Sequence, residues 1–320
     1  MDEFASIRNV TTINEYRDNL IFVLTVYIPL ALVIICGNAF VLIVIRRTPT
    51  LHESQFTLLA SLAFVDLLTG IIGIPIFMWE YVTRESLYLQ NIDDCELQYI
   101  PMKLFIGTSF LHLLFITADR YVSIVKPLKY EQIVTQSRIY CAIAISWITA
   151  CGYVSVPFLW KSKRIGEKFL CYQMNREGIA AQRYVVLTMV PTGVILLIFM
   201  YVCIFMEARK LSSIVHAENT VGITVVRKNF KAAKTSALIV CLFIVAYFPY
   251  SLRVVIFSLG FQRSDVYWYE LITEVSLSIS SAVNPFIYVF RHRQFSTALR
   301  HLLRKRTEFS ISTIVSFDGR

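Results

Sequence analysis

The chain has 320 residues, with 31 Lys and Arg against 22 Asp and Glu, a net charge of +9. Apolar residues make up 56% and charged residues 17%, where a soluble domain averages about 45–50% and about 25%. So little charge cannot cover a water-facing surface, and the same figures exclude a disordered chain, a collagen and a small disulfide scaffold. The apolar residues come in long blocks, which makes the bilayer the expected solvent. The basic residues lie in the short gaps between blocks rather than in one patch, a topology signal and not a nucleic-acid surface.

Residues 1–19 carry six charges and no apolar core, which predicts an extracellular N-terminal segment without a cleavable leader. Seven apolar runs follow, at about 20–45, 56–82, 98–125, 139–160, 183–207, 235–260 and 268–290. Each approaches the roughly 20 residues that cross a membrane as a helix. The sixth is expected to begin further back, near Asn229. Alternating ten-residue segments, the mark of a membrane β-barrel, are absent. The expected fold is an all-α membrane protein, a seven-helix bundle over 20–290.

Lys and Arg are denser in the gaps after the odd-numbered runs and beyond the seventh, including Arg227, Lys228, Lys231 and Lys234. The positive-inside rule then puts the N-terminus outside and the C-terminus in the cytoplasm. The sequon at Asn9 agrees with a glycosylated outer side. Residues 291–306 mix Phe295, Leu299, Leu302 and Leu303 with basic residues, as a helix on an anionic lipid surface does. Residues 307–320 form a tail whose Ser and Thr could take phosphates from a receptor kinase and recruit arrestin; an ordinary disordered tail is the alternative.

Polar residues inside spans are costly and mark function. Asp66 lies mid-span in run two, with Asn38 in run one, Ser109 in run three, and Ser280 and Asn284 in run seven. A carboxylate there needs a counter-charge or a proton. Oxygen donors without a nearby Lys suit Na+; a structural network around a neutral Asp is the other reading. Asp119-Arg120-Tyr121 ends run three, and Leu128 follows among basic residues as a partner contact. Pro249 and Pro285 lie within runs six and seven and are expected to bend them. Five cysteines sit in apolar runs, while Cys95 and Cys171 lie at run ends or in polar loops.

Taken in order, these residues resemble those of rhodopsin-like G-protein-coupled receptors over about residues 20–305. The resemblance rests on Gly37-Asn38, Leu62-Ala63 with Asp66, Cys95, Asp119-Arg120-Tyr121, Trp147, Cys171, Phe243 with Pro249, and Asn284-Pro285 with Tyr288. It implies a plasma-membrane receptor, not an enzyme, that binds a small extracellular ligand and activates a heterotrimeric G protein. It also implies a Cys95–Cys171 disulfide; beyond the allosteric Na+ that the Asp66 residues suit, no cofactor is expected. The switch would involve Arg120 and Tyr288, with hinge and toggle residues Phe243, Tyr247, Pro249 and Pro285.

Within the family, residues 204–211, 231–243 and 283–295 resemble adenosine receptors. The pocket departs from them. The loop cysteine is followed by Tyr172, Gln173 and Met174 where adenosine receptors have an aromatic and an acid at the last two places. Val254 stands for an Asn, and Leu277 and Ser278 for a Ser-His pair. Met102 occupies the position where amine receptors keep an Asp. Lys103, Arg253 and Glu274 lie in the outer thirds of their spans and either read a polar ligand or pair internally. A transporter or channel is the competing class, but no inverted repeat is visible; a true nucleoside receptor is the alternative within the family.

Overall fold

The computed structural model describes residues 2–52, 54–79, 100–159, 163–164, 172–173, 176–218, 241–242, 244–256, 259, 267–291 and 295–300. Cys95, Cys171, Asn229 and Phe243 lie outside the described residues, as do the side chains of Asn9, Tyr172 and Gln173. Helix α1 runs Asp2–Arg47, and α2 covers Ser54–Leu68. A π-turn, Thr69–Gly73, widens α2 before it continues over 74–79. Helix α3 is Ile100–Val125. A short turn, Pro127–Lys129, and α4, Tyr130–Ile133, lead to α5, Gln136–Ser155. Helix α6 is Arg176–Glu218, α7 is Ile244–Ile256 and α8 is Tyr267–Arg291.

Among the described residues, five helical stretches are long and apolar enough to cross a membrane: Leu20–Arg47, Phe56–Trp79, Ile100–Val125, Gln136–Leu159 and Ala180–Glu207. Helices α7 and α8 follow in the places of the sixth and seventh runs, completing the order of a seven-helix membrane bundle. Residues 295–300 form a further helical turn after α8. Among the described residues, the one stretch of strand is a two-residue antiparallel ladder between α5 and α6, pairing Lys163 with Gln173 and Arg164 with Tyr172. The first helix starts at Asp2 rather than near residue 20, because the polar leader continues the helical backbone beyond the apolar span.

Helix α3 is the centre, packed against α2, α5 and α6, while α1 packs on α2 and α8. Half of α3's apolar window is buried, 50%, against 22% for α5 and α6, whose outer faces carry Ile148, Ile195 and Phe199. Exposed aliphatic and aromatic side chains all round the bundle are what a lipid-facing surface requires. The main core joins Val41, Leu59, Leu62, Leu113, Ile139, Leu197, Tyr247 and Tyr288. Glycines set several close approaches, and two of them seat whole helices. A Cβ on Gly37 would lie 2.9 Å from Cγ of Pro285, so this glycine lets α1 reach α8. Gly193 faces the Phe110 ring with no room for a side chain, while Pro191 faces outward. Gly193, two residues after Pro191, is therefore the position of this stretch of α6 that faces the bundle.

Candidate functional site

Among the described residues, three polar clusters lie along the bundle axis. Arg120 follows Lys103 by 17 positions on α3, so the two mark opposite ends about 25 Å apart at 1.5 Å per residue.

The middle cluster is built on Asp66, which is fully buried on α2. Its Oδ1 accepts from Ser109 Oγ at 3.2 Å and from Ser281 Oγ at 2.7 Å. Its Oδ2 accepts from Asn284 Nδ2 at 2.8 Å. Asn38 joins from α1 by donating to the carbonyls of Ile34 at 2.9 Å and Ser281 at 3.2 Å, and its Oδ1 is buried without a hydrogen-bond partner. The structure thus brings Asn38, Asp66, Ser109 and Asn284 together. Ser280 is the exception. Its hydroxyl donates to Leu277 O in its own helix at 2.6 Å, and Ser281 takes its place. Both serines are a helical step from Asn284, at i−4 and i−3, so spacing alone could not choose between them. The burial stripe through Glu274, Ser278, Ser281, Pro285 and Tyr288 selects Ser281.

At the Arg120 end, Arg120 donates to Oδ2 of Asp119 through Nε at 2.9 Å and through Nη2 at 2.5 Å. The other carboxylate oxygen of Asp119 accepts from Tyr130 Oη at 2.8 Å. Tyr130 on α4 was not anticipated; its only sequence signal is an aromatic in a basic loop. Tyr121 packs with Ile124, Tyr201 and Ile204. Leu128 is 96% exposed between Lys126 and Lys129. The Tyr288 hydroxyl is buried with no hydrogen-bond partner, at the far side of Pro285 from Asn284.

Between middle and opposite end, Tyr247 donates its hydroxyl to Ile106 O at 2.9 Å and stacks obliquely on Phe110 at 5.7 Å. Tyr269 of α8 donates to Pro249 O at 2.8 Å, tying the two helices at the proline of α7. At the Lys103 end, Arg253 Nη1 donates to Glu274 Oε1 at 2.8 Å and to Thr273 Oγ1 at 3.1 Å, and its guanidinium covers the Tyr250 ring at 4.9 Å. Arg253 is 9% exposed and Glu274 5%. Lys103 donates instead to Gln182 Oε1 at 3.1 Å, and the amide nitrogen of Gln182 donates to Tyr153 O at 3.3 Å. The internal ion pair therefore forms between α7 and α8, because Gln182 turns Lys103 toward α5 and α6. Met102 packs with Tyr27, Phe77 and Ala282, Val254 is buried, and Ser278 Oγ donates to Glu274 O at 2.9 Å.

This layout can be compared with known proteins. The profile of the 7 transmembrane receptor (rhodopsin family) matches residues 37–288. The chain belongs to that family. Among its relatives, trace amine-associated receptor 8c of Rattus norvegicus is 30% identical over 293 residues, covering 85% of this chain and 83% of the relative. The protein of the same name from Mus musculus has the same identity and coverage. Trace amine-associated receptor 8 of Homo sapiens is 28% identical over 290 residues, again at 85% and 83%. The chain is thus a rhodopsin-family receptor, a multi-pass membrane protein and not an enzyme. Within this receptor, the sequence did not single out Gln182, Thr273 or Ser61. Ser61 makes a 2.7 Å hydrogen bond with buried His112, whose Nδ1 meets Thr108 O at 2.8 Å. That accounts for the histidine as a hydrogen-bonded core residue.

Proposed function

We propose that this receptor binds a small extracellular ligand at its Lys103 end and drives nucleotide exchange on a heterotrimeric G protein at its Arg120 end. The observation that carries the reading is the Arg120–Asp119 pair, closed by Tyr130 beside the exposed Leu128. A charged switch held by its own neighbour, next to an apolar contact among lysines, suits a partner that competes for the arginine. The orientation follows from the Lys and Arg asymmetry, with the N-terminus outside the plasma membrane and the tail, with its arrestin and kinase sites, inside. Purified receptor in lipid, mixed with a panel of heterotrimers, tests the reading. Arg120-dependent exchange supports it. Equal exchange by wild type and Arg120→Ala refutes it.

The Asp66 cluster suits Na+. A carboxylate, two serine hydroxyls and the unsatisfied Asn38 Oδ1 form a set of hard oxygen donors around one buried charge. Asp66, Ser109, Ser281 and the Asn38 and Asn284 amides would hold it, and a bound cation would supply the counter-charge. A Cys95–Cys171 disulfide would tie the outer loops on the oxidising side.

Neither adenosine nor a simple amine fits as ligand. The relatives are named for trace amines, but here the amine-reading position of span three is Met102, turned into an apolar cluster. The segments that resemble adenosine receptors would bear on descent rather than on ligand, while Val254 lacks the amide that would read a purine. Removing a polar partner that a site uses to hold a ligand group costs orders of magnitude in discrimination. We expect no response to micromolar adenosine; a sub-micromolar response would overturn this part.

A further inference from the structure

We propose that the receptor's ligand is a zwitterion, a small molecule with an ammonium and a carboxylate, that opens the Arg253–Glu274 pair by supplying a partner to each side. The proposal rests on the reading of the Lys103 end as the ligand site. Both residues are buried, with side chains 11% and 7% exposed, and their contact at 2.8 Å joins α7 to α8. Arg253 stands one turn and Glu274 about two turns inside the ends of their helices.

Charge balance selects the ligand. An amine that takes Glu274 frees a buried guanidinium; an acid that takes Arg253 frees a buried carboxylate. Removing one member of a buried pair leaves an uncompensated charge, which costs far more than the pair gains. A zwitterion leaves neither. Its carboxylate meets the planar donor fork of Arg253, with Lys103 as a second cation at the same end. Its ammonium meets Glu274. Thr273, already donated to by Arg253, keeps the guanidinium oriented while the carboxylate partner is exchanged. Met102 offers no competing acid from α3, so the recognition that amine receptors perform from span three moves here to α8. Because the pair joins α7 to α8, a ligand inserted between its halves changes the spacing of those helices where Tyr269 also ties them at Pro249.

The test uses the full-length receptor solubilised in detergent. Free α-amino acids, ω-amino acids of increasing length and dipeptides are titrated, each beside the amine and the acid of the same carbon skeleton. The readouts are thermal stability, which needs no G protein, and nucleotide exchange. At least one zwitterion should raise the melting temperature with saturation, and its singly charged counterparts should bind at least about 30-fold more weakly. Glu274→Gln should weaken the zwitterion while sparing the acid, and Arg253→Gln should weaken the zwitterion while sparing the amine; if either variant fails to fold, the wild-type series alone decides. An amine or acid as potent as its zwitterion, or no shift with any member of the series, overturns the proposal. A thermal shift without Arg120-dependent exchange sinks the G-protein reading and leaves this one standing. Arg120-dependent exchange without any shift does the opposite.

Discussion

Ser281 and Ser280 are adjacent, chemically identical, and unequal in the fold. Ser281→Ala deprives Asp66 of its shortest hydrogen bond and should cost about 1–3 kcal/mol. Ser280→Ala removes only a bond to its own helix and should stay within about 0.5 kcal/mol. Thermal melts of the two variants check the difference, and equal losses would count against the assignment. Asp66→Asn should abolish any sodium dependence of signalling. If wild-type signalling ignores sodium, the cluster is a polar network alone. Tyr247 is the second residue where one atom decides. Its hydroxyl latches α7 to the backbone of α3, and Tyr247→Phe removes about 1 kcal/mol of that contact. Ligand-free nucleotide exchange should rise several-fold, since 1.4 kcal/mol is about tenfold in an equilibrium. At this scale the sequence announces every acid and base of the sites, because charges in apolar runs are conspicuous. It does not announce the partners. Whether Glu274 meets Lys103 or Arg253 depends on Gln182, an ordinary residue whose amide orients the lysine from another helix.

Helices were legible because each needs a contiguous apolar run, and α1, α2, α3, α5 and α6 lie where those runs are. Their mutual approach was less legible, because it depends on what is missing. Gly37 is the example: its lack of a Cβ admits the Pro285 ring. Gly37→Ala should overpack that contact and cost about 1–3 kcal/mol. Gly152→Ala on α5, where nothing lies within 4 Å of the new Cβ, should stabilise by up to about 1 kcal/mol. Melting temperatures moving in opposite directions would bear this out; parallel shifts would mean that α1 and α8 stand further apart. Gly193 teaches the same lesson for α6. The proline that catches the eye faces outward, and the residue that seats α6 on Phe110 is the glycine two positions on.

For the whole molecule, the balance between closed and open bundles depends on contacts distributed over its length. Rhodopsin-like receptors often pair the arginine that ends span three with an acid of span six, and by sequence resemblance that position is Asn229, which cannot make an ion pair with Arg120. A partly buried pair of this kind contributes on the order of 1 kcal/mol. We expect measurable exchange without ligand, lowered by Asn229→Glu in the same assay. Background exchange that the Glu variant leaves unchanged would show that other contacts close the bundle, the Tyr247 latch first among them. Composition and run spacing reach this far up the scale because a bilayer allows few architectures. The ligand remained open at the same scale because specificity rests on side-chain pairings between helices far apart in sequence.

The π-turn of α2 has a consequence for how the chain tolerates changes in length. In an α-helix, losing one residue turns everything beyond it by about 100°. Such a loss upstream of Asp66 would swing the carboxylate away from Ser281 and Asn284, or swing Phe77 off Tyr27, whose ring centres lie 5.1 Å apart. The turn at Thr69–Gly73 already holds one surplus residue, a single wide turn inside an otherwise regular helix. Deleting exposed Ile71 would convert it to ordinary α-helix and leave both flanks in phase. Gly70 against Ile35 and Gly73 against Met102 keep this wide turn seated between α1 and α3. Span two thus has slack: descendants of this gene can lose a codon there, and almost nowhere else along the helix, without dismantling the polar centre.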